Sequence, residues 1–147
     1  VNVSEAANEL LPAYQEAALT RSLSLRAQIE PDVVIQTNKE SLRQLLTLLL
    51  DNAVRYTPEN GTIHLSLKKC GRHIRIVEEN TCSTPREADP ERLFERFYRG
   101  DSARTQERDS FGYGIGLSAA RAVCENFGGK LTAEYPSADR IRFTATL

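Results

Sequence analysis

Thr37 to Pro58 reads TNKESLRQLLTLLLDNAVRYTP, and a single periodicity runs through it. Leu42, Leu45, Leu46, Leu49 and Ala53 recur at three- and four-residue steps, the spacing that gathers side chains on one face of a helix. Thr37 and Glu40 have capping-box spacing at its start, and Pro58 forbids continuation at its end. A long amphipathic helix is therefore expected, with an apolar stripe that a second layer must cover. In the last turns the pattern becomes polar. Asn52, Arg55 and Tyr56 follow at i, i+3 and i+4, which predicts that they project together.

Upstream, Ser4 is placed to cap a helix carrying Leu10, Leu11, Tyr14 and Leu19, with Pro12 expected to distort it or to end its first part. SLSLRAQ, Ser22 to Gln28, alternates as a strand does, and Val33 to Gln36 is a short β-branched run that reads as another. Downstream, Asn60-Gly61 turns into Thr62 to Lys68. Gly71 turns again before Ile74, Ile76 and Val77, so a hairpin is expected. Glu87 to Arg99 supports a short helix at most, and Gly100 to Phe111 is polar, charged and loop-like. Ile115 to Asn126 reads as a helix ended by Gly128-Gly129. Lys130 to Tyr135 and Ile141 to Leu147 give a closing pair of strands. The sum is an α+β chain, read as one domain over 1–147. Its expected architecture is a two-layer α/β sandwich, with a mixed sheet of about five strands and three helices on one face.

Composition bounds what this domain handles. At 147 residues with 40% apolar side chains, the chain can bury a core of its own. A net charge of -1 supplies no global basic field, so nucleic acid is not expected as a partner and anion recognition must be local. Cys70, Cys82 and Cys124 are odd in number and form no CxxC, which fits reduced thiols of an intracellular protein better than a disulfide frame or a zinc site. No run approaches the roughly 18 apolar residues of a membrane span, and Val1 opens no signal-peptide pattern. The missing start methionine leads us to expect a fragment of a longer protein.

Two segments point to chemistry. Asn52 offers a hard amide oxygen suited to magnesium, which keeps several waters and takes other ligands from phosphates. Arg55 has the charge to balance phosphate and Tyr56 the face to pack on a base. The plain alternative is a helix-end asparagine and a core tyrosine. GYGIGL, Gly112 to Leu117, sets Gly112, Gly114 and Gly116 at alternate positions immediately before the expected helix. There the backbone approaches phosphates closely, and the helix start supplies free amides and the positive dipole end. The alternative is a flexible turn. The segment has neither the lysine of a P-loop nor the spacing of a dinucleotide fingerprint. Between the two lies LFERFYRGD, Leu93 to Asp101, where Phe94 and Phe97 are three apart and Arg96 and Arg99 flank them. It reads as an anchoring aromatic cluster, or as a lid foot whose arginines face phosphate or a partner.

In this order, LLDNAVRYTP, FERFYR and GYGIGL resemble the N box, F box and second glycine box of the sensor histidine kinase catalytic domain. That module is the ATP-binding part of two-component systems, in the superfamily that includes gyrase, Hsp90 and MutL ATPases. The resemblance covers nearly the whole chain and implies a Bergerat-type sandwich holding Mg-ATP under a lid at about 100–111. It implies Asn52 as magnesium ligand, Arg55 as phosphate contact and Tyr56 as adenine neighbour. Gly112, Tyr113, Gly114, Ile115, Gly116 and Leu117 would line the phosphates, with Arg99 nearby. It also implies transfer of the γ-phosphate to a histidine on a separate dimerisation and phosphotransfer domain of the same protein, and from there to a response regulator. The parent would be a bacterial membrane sensor, attached through parts outside this chain, with this domain cytoplasmic and monomeric in isolation.

Several positions depart from the family pattern. The first glycine box should resemble DxGxG after the strand ending near Val77, but the chain gives VEENTCSTP. Asn80 stands where the adenine-reading aspartate belongs; it still accepts a hydrogen bond from the adenine amino group but carries no charge. Arg142 replaces a threonine expected before the aromatic of the last strand. Leu48 occupies the place of a first N-box asparagine, or of the water-activating glutamate of hydrolysing relatives. A leucine activates no water, which favours a kinase, whose histidine acceptor is itself the nucleophile, over an ATPase or an anti-sigma-type serine kinase. A third reading, a docking module poor in nucleotide, rests on the altered first glycine box. His64 and His73 lack an acceptor-histidine context and read as strand residues.

Overall fold

The computed structural model describes residues 1–83, 88–95 and 107–147, and in the last of these ranges the side chains from Gly116 onward. Helix α1 is Val3–Thr20, strand β1 Ser24–Ile29, helix α2 Lys39–Tyr56, strand β2 Thr62–Cys70 and strand β3 His73–Thr81. A 3-10 turn at Pro90–Phe94 precedes helix α3, Glu107–Asn126, and strands β4, Lys130–Ser137, and β5, Arg140–Thr146. The sheet runs β1-β2-β3-β5-β4, with β1 parallel to β2 and the other pairs antiparallel. This is the expected mixed sheet of five strands with three helices against it.

Alternation fixes which face is covered. Along β3, Ile74, Ile76, Glu78 and Asn80 are buried while His73 and Arg75 are exposed. Leu25, Ile63, Leu65, Leu131, Ile141 and Phe143 fill the same layer from the other strands. They meet the α2 stripe of Leu42, Leu45, Leu46, Leu49 and Ala53, all buried as the periodicity predicts.

The ends of elements depart more from expectation than their existence. Asn2, not Ser4, caps α1, its side chain accepting from the Glu5 amide at 3.0 Å. Ser4 lies inside the helix and is buried; its hydroxyl donates to the Glu30 carbonyl (2.6 Å) and accepts from the Val33 amide (2.9 Å). That hydroxyl ties the segment after β1 to α1. Val33 to Gln36 consequently forms no strand, only a bridge between Asn2 and Val34. Pro12 neither ends nor divides α1, which is continuous across it, and Leu19 is exposed rather than part of the core. At α2 the cap is Asn38, accepting from Ser41 at 3.0 Å, in place of the Thr37 capping box.

The largest correction concerns α3. It begins at Glu107, so 107–111, expected as the last part of a lid, are helical, and Gly112, Gly114 and Gly116 lie within the helix rather than before it. The three glycines oppose the run by roughly 0.5–1 kcal/mol each.

Candidate functional site

Asn52 continues the buried α2 stripe, seven residues after Leu45 and three after Leu49, as a polar side chain among apolar ones. Its residue is 7% exposed, and its Oδ1 is buried with no hydrogen-bond partner among the described residues. Helix α2 packs on β3, and on the helix-facing side of that strand the pattern repeats. Asn80 is buried, its Nδ2 donating to the Thr81 carbonyl at 2.8 Å while its Oδ1 has no partner. Glu78, fully buried one strand step away, leaves both carboxylate oxygens unpaired. An unsatisfied buried polar atom costs about 1–3 kcal/mol. Three side chains from two elements share that cost around one layer, which marks a place prepared for polar contacts from elsewhere.

The charge of Glu78 is set by burial, which pushes its pKa well above the ordinary glutamate value; the field of Arg140 opposes this and that of Glu79 adds to it. Arg140 does not reach it. Its guanidinium donates to Glu79 at 2.7 Å and to Thr62 at 2.8 Å on the open face of the sheet. Glu79 shows the opposite balance: burial pushes it up, but hydrogen bonds from Arg140 and Arg142 outweigh that and hold it below the usual range.

The expected polar triplet on α2 is only partly gathered. Tyr56 is half-buried, whereas Arg55 is exposed and lines a cleft of about 440 Å³ between α1 and α2 with Tyr14, Arg21 and Asp51. One residue turns a helix by about 100°, so Arg55 and Tyr56 flank Asn52 on opposite sides. The main chain there is fixed: Arg21 donates to the carbonyls of Val54 and Arg55, and the Thr57 hydroxyl donates to the Ala53 carbonyl at 2.6 Å. Burial raises the Tyr14 pKa, and its hydrogen bond to Asp51 at 2.7 Å adds to the effect.

Of the expected aromatic pair, Phe94 is among the described residues and packs on the domain beside the buried Leu93. Phe94 is buried, edge-on to Phe143 with ring centroids 6.0 Å apart, and the Arg121 guanidinium lies 4.2 Å above its ring. Arg121 also pairs with Glu91, which accepts from the Ala133 amide at 3.2 Å, so the turn is bound to α3 and β4 together. Arg96, Phe97 and Arg99 lie outside the described residues, as does the 100–106 part of the expected lid. Gly112, Tyr113, Gly114 and Ile115 are placed by backbone only, in α3. Gly116 has nothing within 4 Å of where a side chain would start, and Leu117 is buried in the core.

Arg142 faces away from this layer and pairs with Glu79 (2.9 Å) and Glu134 (2.7 Å). Ile141 and Phe143 are the β5 side chains on the site's face. Leu48 is partly buried against the core, so no acid stands at that position. His64 is half-buried on β2 and His73 exposed on β3. Among the described residues no cluster of His, Cys, Asp or Glu is suited to hold a metal. An isolated amide oxygen such as that of Asn52 instead fits magnesium already carried by phosphates. The sequence reading missed Glu78. Its signal was an acid in phase with Ile74 and Ile76 on a strand whose in-phase face is core.

Comparison with known proteins follows the same lines. The family model for histidine kinase-, DNA gyrase B-, and HSP90-like ATPases matches residues 37–147. The chain is similar to the sensor protein DltS of Streptococcus agalactiae serotype V, 33% identical over 147 residues, all of this chain and 36% of that protein. It is 38% identical over 128 residues to the sensor protein CiaH of Streptococcus pneumoniae serotype 4, covering 86% of this chain and 28% of that one. The chain thus spans about a third of these curated relatives' length. In fold it is similar to the nucleotide-free catalytic domain of histidine kinase ThkA, with TM-score 0.82, 21% identity and coverage of 100% and 93%. It is likewise similar to the mycobacterial sensor histidine kinase MprB, with TM-score 0.82, 24% identity and coverage of 100% and 95%. No helix among the described residues is long and apolar enough to cross a membrane.

Proposed function

We propose a function from one premise: this chain belongs to the histidine kinase-, DNA gyrase B-, and HSP90-like ATPase family. Its role is that of the ATP-binding catalytic domain of a two-component sensor histidine kinase. The reading is supported above all by the unpartnered amide oxygens of Asn52 and Asn80, which α2 and β3 hold against one buried layer.

In this reading Asn80 accepts a hydrogen bond from the adenine amino group and Tyr56 packs beside the base. Asn52 would hold magnesium through its one amide oxygen, and the ion would supply charge neutralisation of the phosphates. Gly112 to Leu117 contribute backbone amides to the phosphates, and Arg55 and Arg99 their charge. Amides beyond the first four of a helix are already engaged with carbonyls. For Gly112 and Gly114 to hold phosphates, the first turns of α3 must open, and their glycines make that opening cheap. Arg55 must likewise swing from the α1 cleft.

The acceptor is a histidine on a dimerisation and phosphotransfer domain of the same protein, with a response regulator aspartate next in line. The imidazole nitrogen bonds to the γ-phosphorus as the bond to the β,γ-bridging oxygen breaks; ADP leaves with that electron pair and the imidazole sheds its proton. The chain's part is positioning and charge stabilisation. With Leu48 in place of an acid, that position supplies no group to activate water. The parent is a membrane-linked bacterial sensor. Incubating the full-length protein with ATP labelled at the γ-phosphate tests this reading. An acid-labile phosphohistidine that disappears in Asn52→Ala is expected. Release of inorganic phosphate alone, or an acid-stable phosphoserine, would overturn it.

A further inference from the structure

Glu78 has no role in the reading above, yet among the described residues it is the one charged side chain that is buried. Its register neighbours are Leu65 on β2 and Phe143 on β5, and along its own strand the in-phase residues are Ile76 and Asn80. No described group donates to its carboxylate or accepts from it. The cation whose field reaches it, Arg140, is bound to Glu79 on the opposite face. A carboxyl in such surroundings is held as the neutral acid, with one O–H to donate and a carbonyl oxygen to accept. Leucine or valine would suit the strand better. Only Asn80, of its neighbours, is polar, and its remaining free atom is an acceptor.

An acceptor and a donor, two residues apart on one strand face, form a pattern. Adenine presents an amino donor at N6 beside an acceptor at N1. Guanine presents the reverse, a carbonyl acceptor at O6 beside an N1–H donor. We propose that Glu78 is a second base-reading residue of this site, donating its carboxyl O–H to adenine N1, directly or through one water, while Asn80 accepts from N6. This rests on the nucleotide site proposed above and adds its specificity. The pair matches adenine at both positions, whereas guanine sets its O6 acceptor against the Asn80 acceptor and leaves buried groups unpaired, which is the strongest form of discrimination available to a binding site. It also offsets the loss of charge at Asn80, since a neutral acid beside a carboxamide reads two atoms where a lone aspartate carboxylate would accept only.

Calorimetric titration of the 147-residue chain with ATP, GTP and the ATP analogue carrying CH in place of N1 tests this, on wild type, Glu78→Gln and Glu78→Leu. Wild type should prefer ATP to the N1-deleted analogue by about 10- to 100-fold. Glu78→Gln keeps an N–H donor and should keep most of that preference. Glu78→Leu should bind ATP and the analogue equally, with GTP still rejected through Asn80. An unchanged preference in Glu78→Leu, or a wild type indifferent to loss of N1, overturns the proposal while leaving the nucleotide site standing. A wild type that melts cooperatively yet binds none of the three overturns the site itself and this proposal with it. Should Glu78→Leu not fold, the wild-type preference and its retention in Glu78→Gln decide.

Discussion

At the scale of the residue, the site is defined by polar atoms that lack partners, and those atoms titrate and bind in calculable directions. The Glu78 pKa lies above its unfolded value because of burial. As pH rises through the ordinary glutamate range the unfolded chain ionises first, so stability from this residue is full below that range. It is lost progressively until the raised folded pKa is passed. Glu79, held low by its arginines, acts oppositely: its contribution is present above the ordinary value and lost as pH falls through the folded one. Thermal melting from about pH 5 to about pH 8 should therefore show Glu78→Gln gaining on wild type as pH rises. A constant difference across that range would contradict the assignment. Asn52 was legible from its place at the end of the α2 stripe, because helical period alone carries it inward. The direction of Arg55 was not legible in the same way. The packing of α1 against that flank of α2, which no local pattern reports, turns Arg55 toward Tyr14 and Asp51. Glu78 was overlooked because an acid on a strand is read as solvent-facing unless phase is counted through it.

At the scale of the element, α3 carries the most consequence. Gly116 faces open space, so Gly116→Ala meets no obstacle and should raise helix stability by about 1 kcal/mol. If the segment must open or approach phosphates to bind nucleotide, the same change should weaken ATP affinity several-fold while raising the melting temperature. A variant that is more stable and binds ATP normally would separate this helix from the site. Ser4 offers a control remote from nucleotide. Ser4→Ala removes both hydrogen bonds that hold the segment after β1 and should cost about 1–3 kcal/mol in denaturant unfolding, with ATP affinity unchanged. Element types were legible wherever period was long, as in α2 and the β2-β3 pair. Boundaries were not, because Asn2 and Asn38 compete with the nearby Ser4 and Thr37 as caps and tertiary contacts choose between them. Pro12 shows the same rule from the other side: packing of α1 on α2 and β1 outweighs the one backbone bond a proline removes.

At the scale of the molecule, one face of the sheet is consumed by the helices and the other carries a charged row. Across it Glu79, Arg142 and Glu134 pair through neighbouring strands. The domain thus holds its buried polar layer between α2 and β3, with the Phe94 foot tying the 3-10 turn to α3 and β5. Neither histidine lies in that layer: His64 is on β2 and His73 begins β3. The isolated chain should accordingly bind ATP without forming a phosphohistidine, and a stable phosphohistidine on it alone would contradict the separate-acceptor reading. The ordered motifs made the architecture legible, since each fixes one element and their spacing fixes the connections. What they left open was set by contacts between distant segments. The account stands or falls on Asn52 as the metal-coupled centre of the site. Its most direct test is calorimetric titration of this chain with ATP, with and without magnesium, beside Asn52→Ala. Magnesium-dependent binding in the wild type, losing that dependence together with at least about tenfold in affinity in Asn52→Ala, is the predicted result. Binding equally strong in the variant and indifferent to magnesium would contradict it.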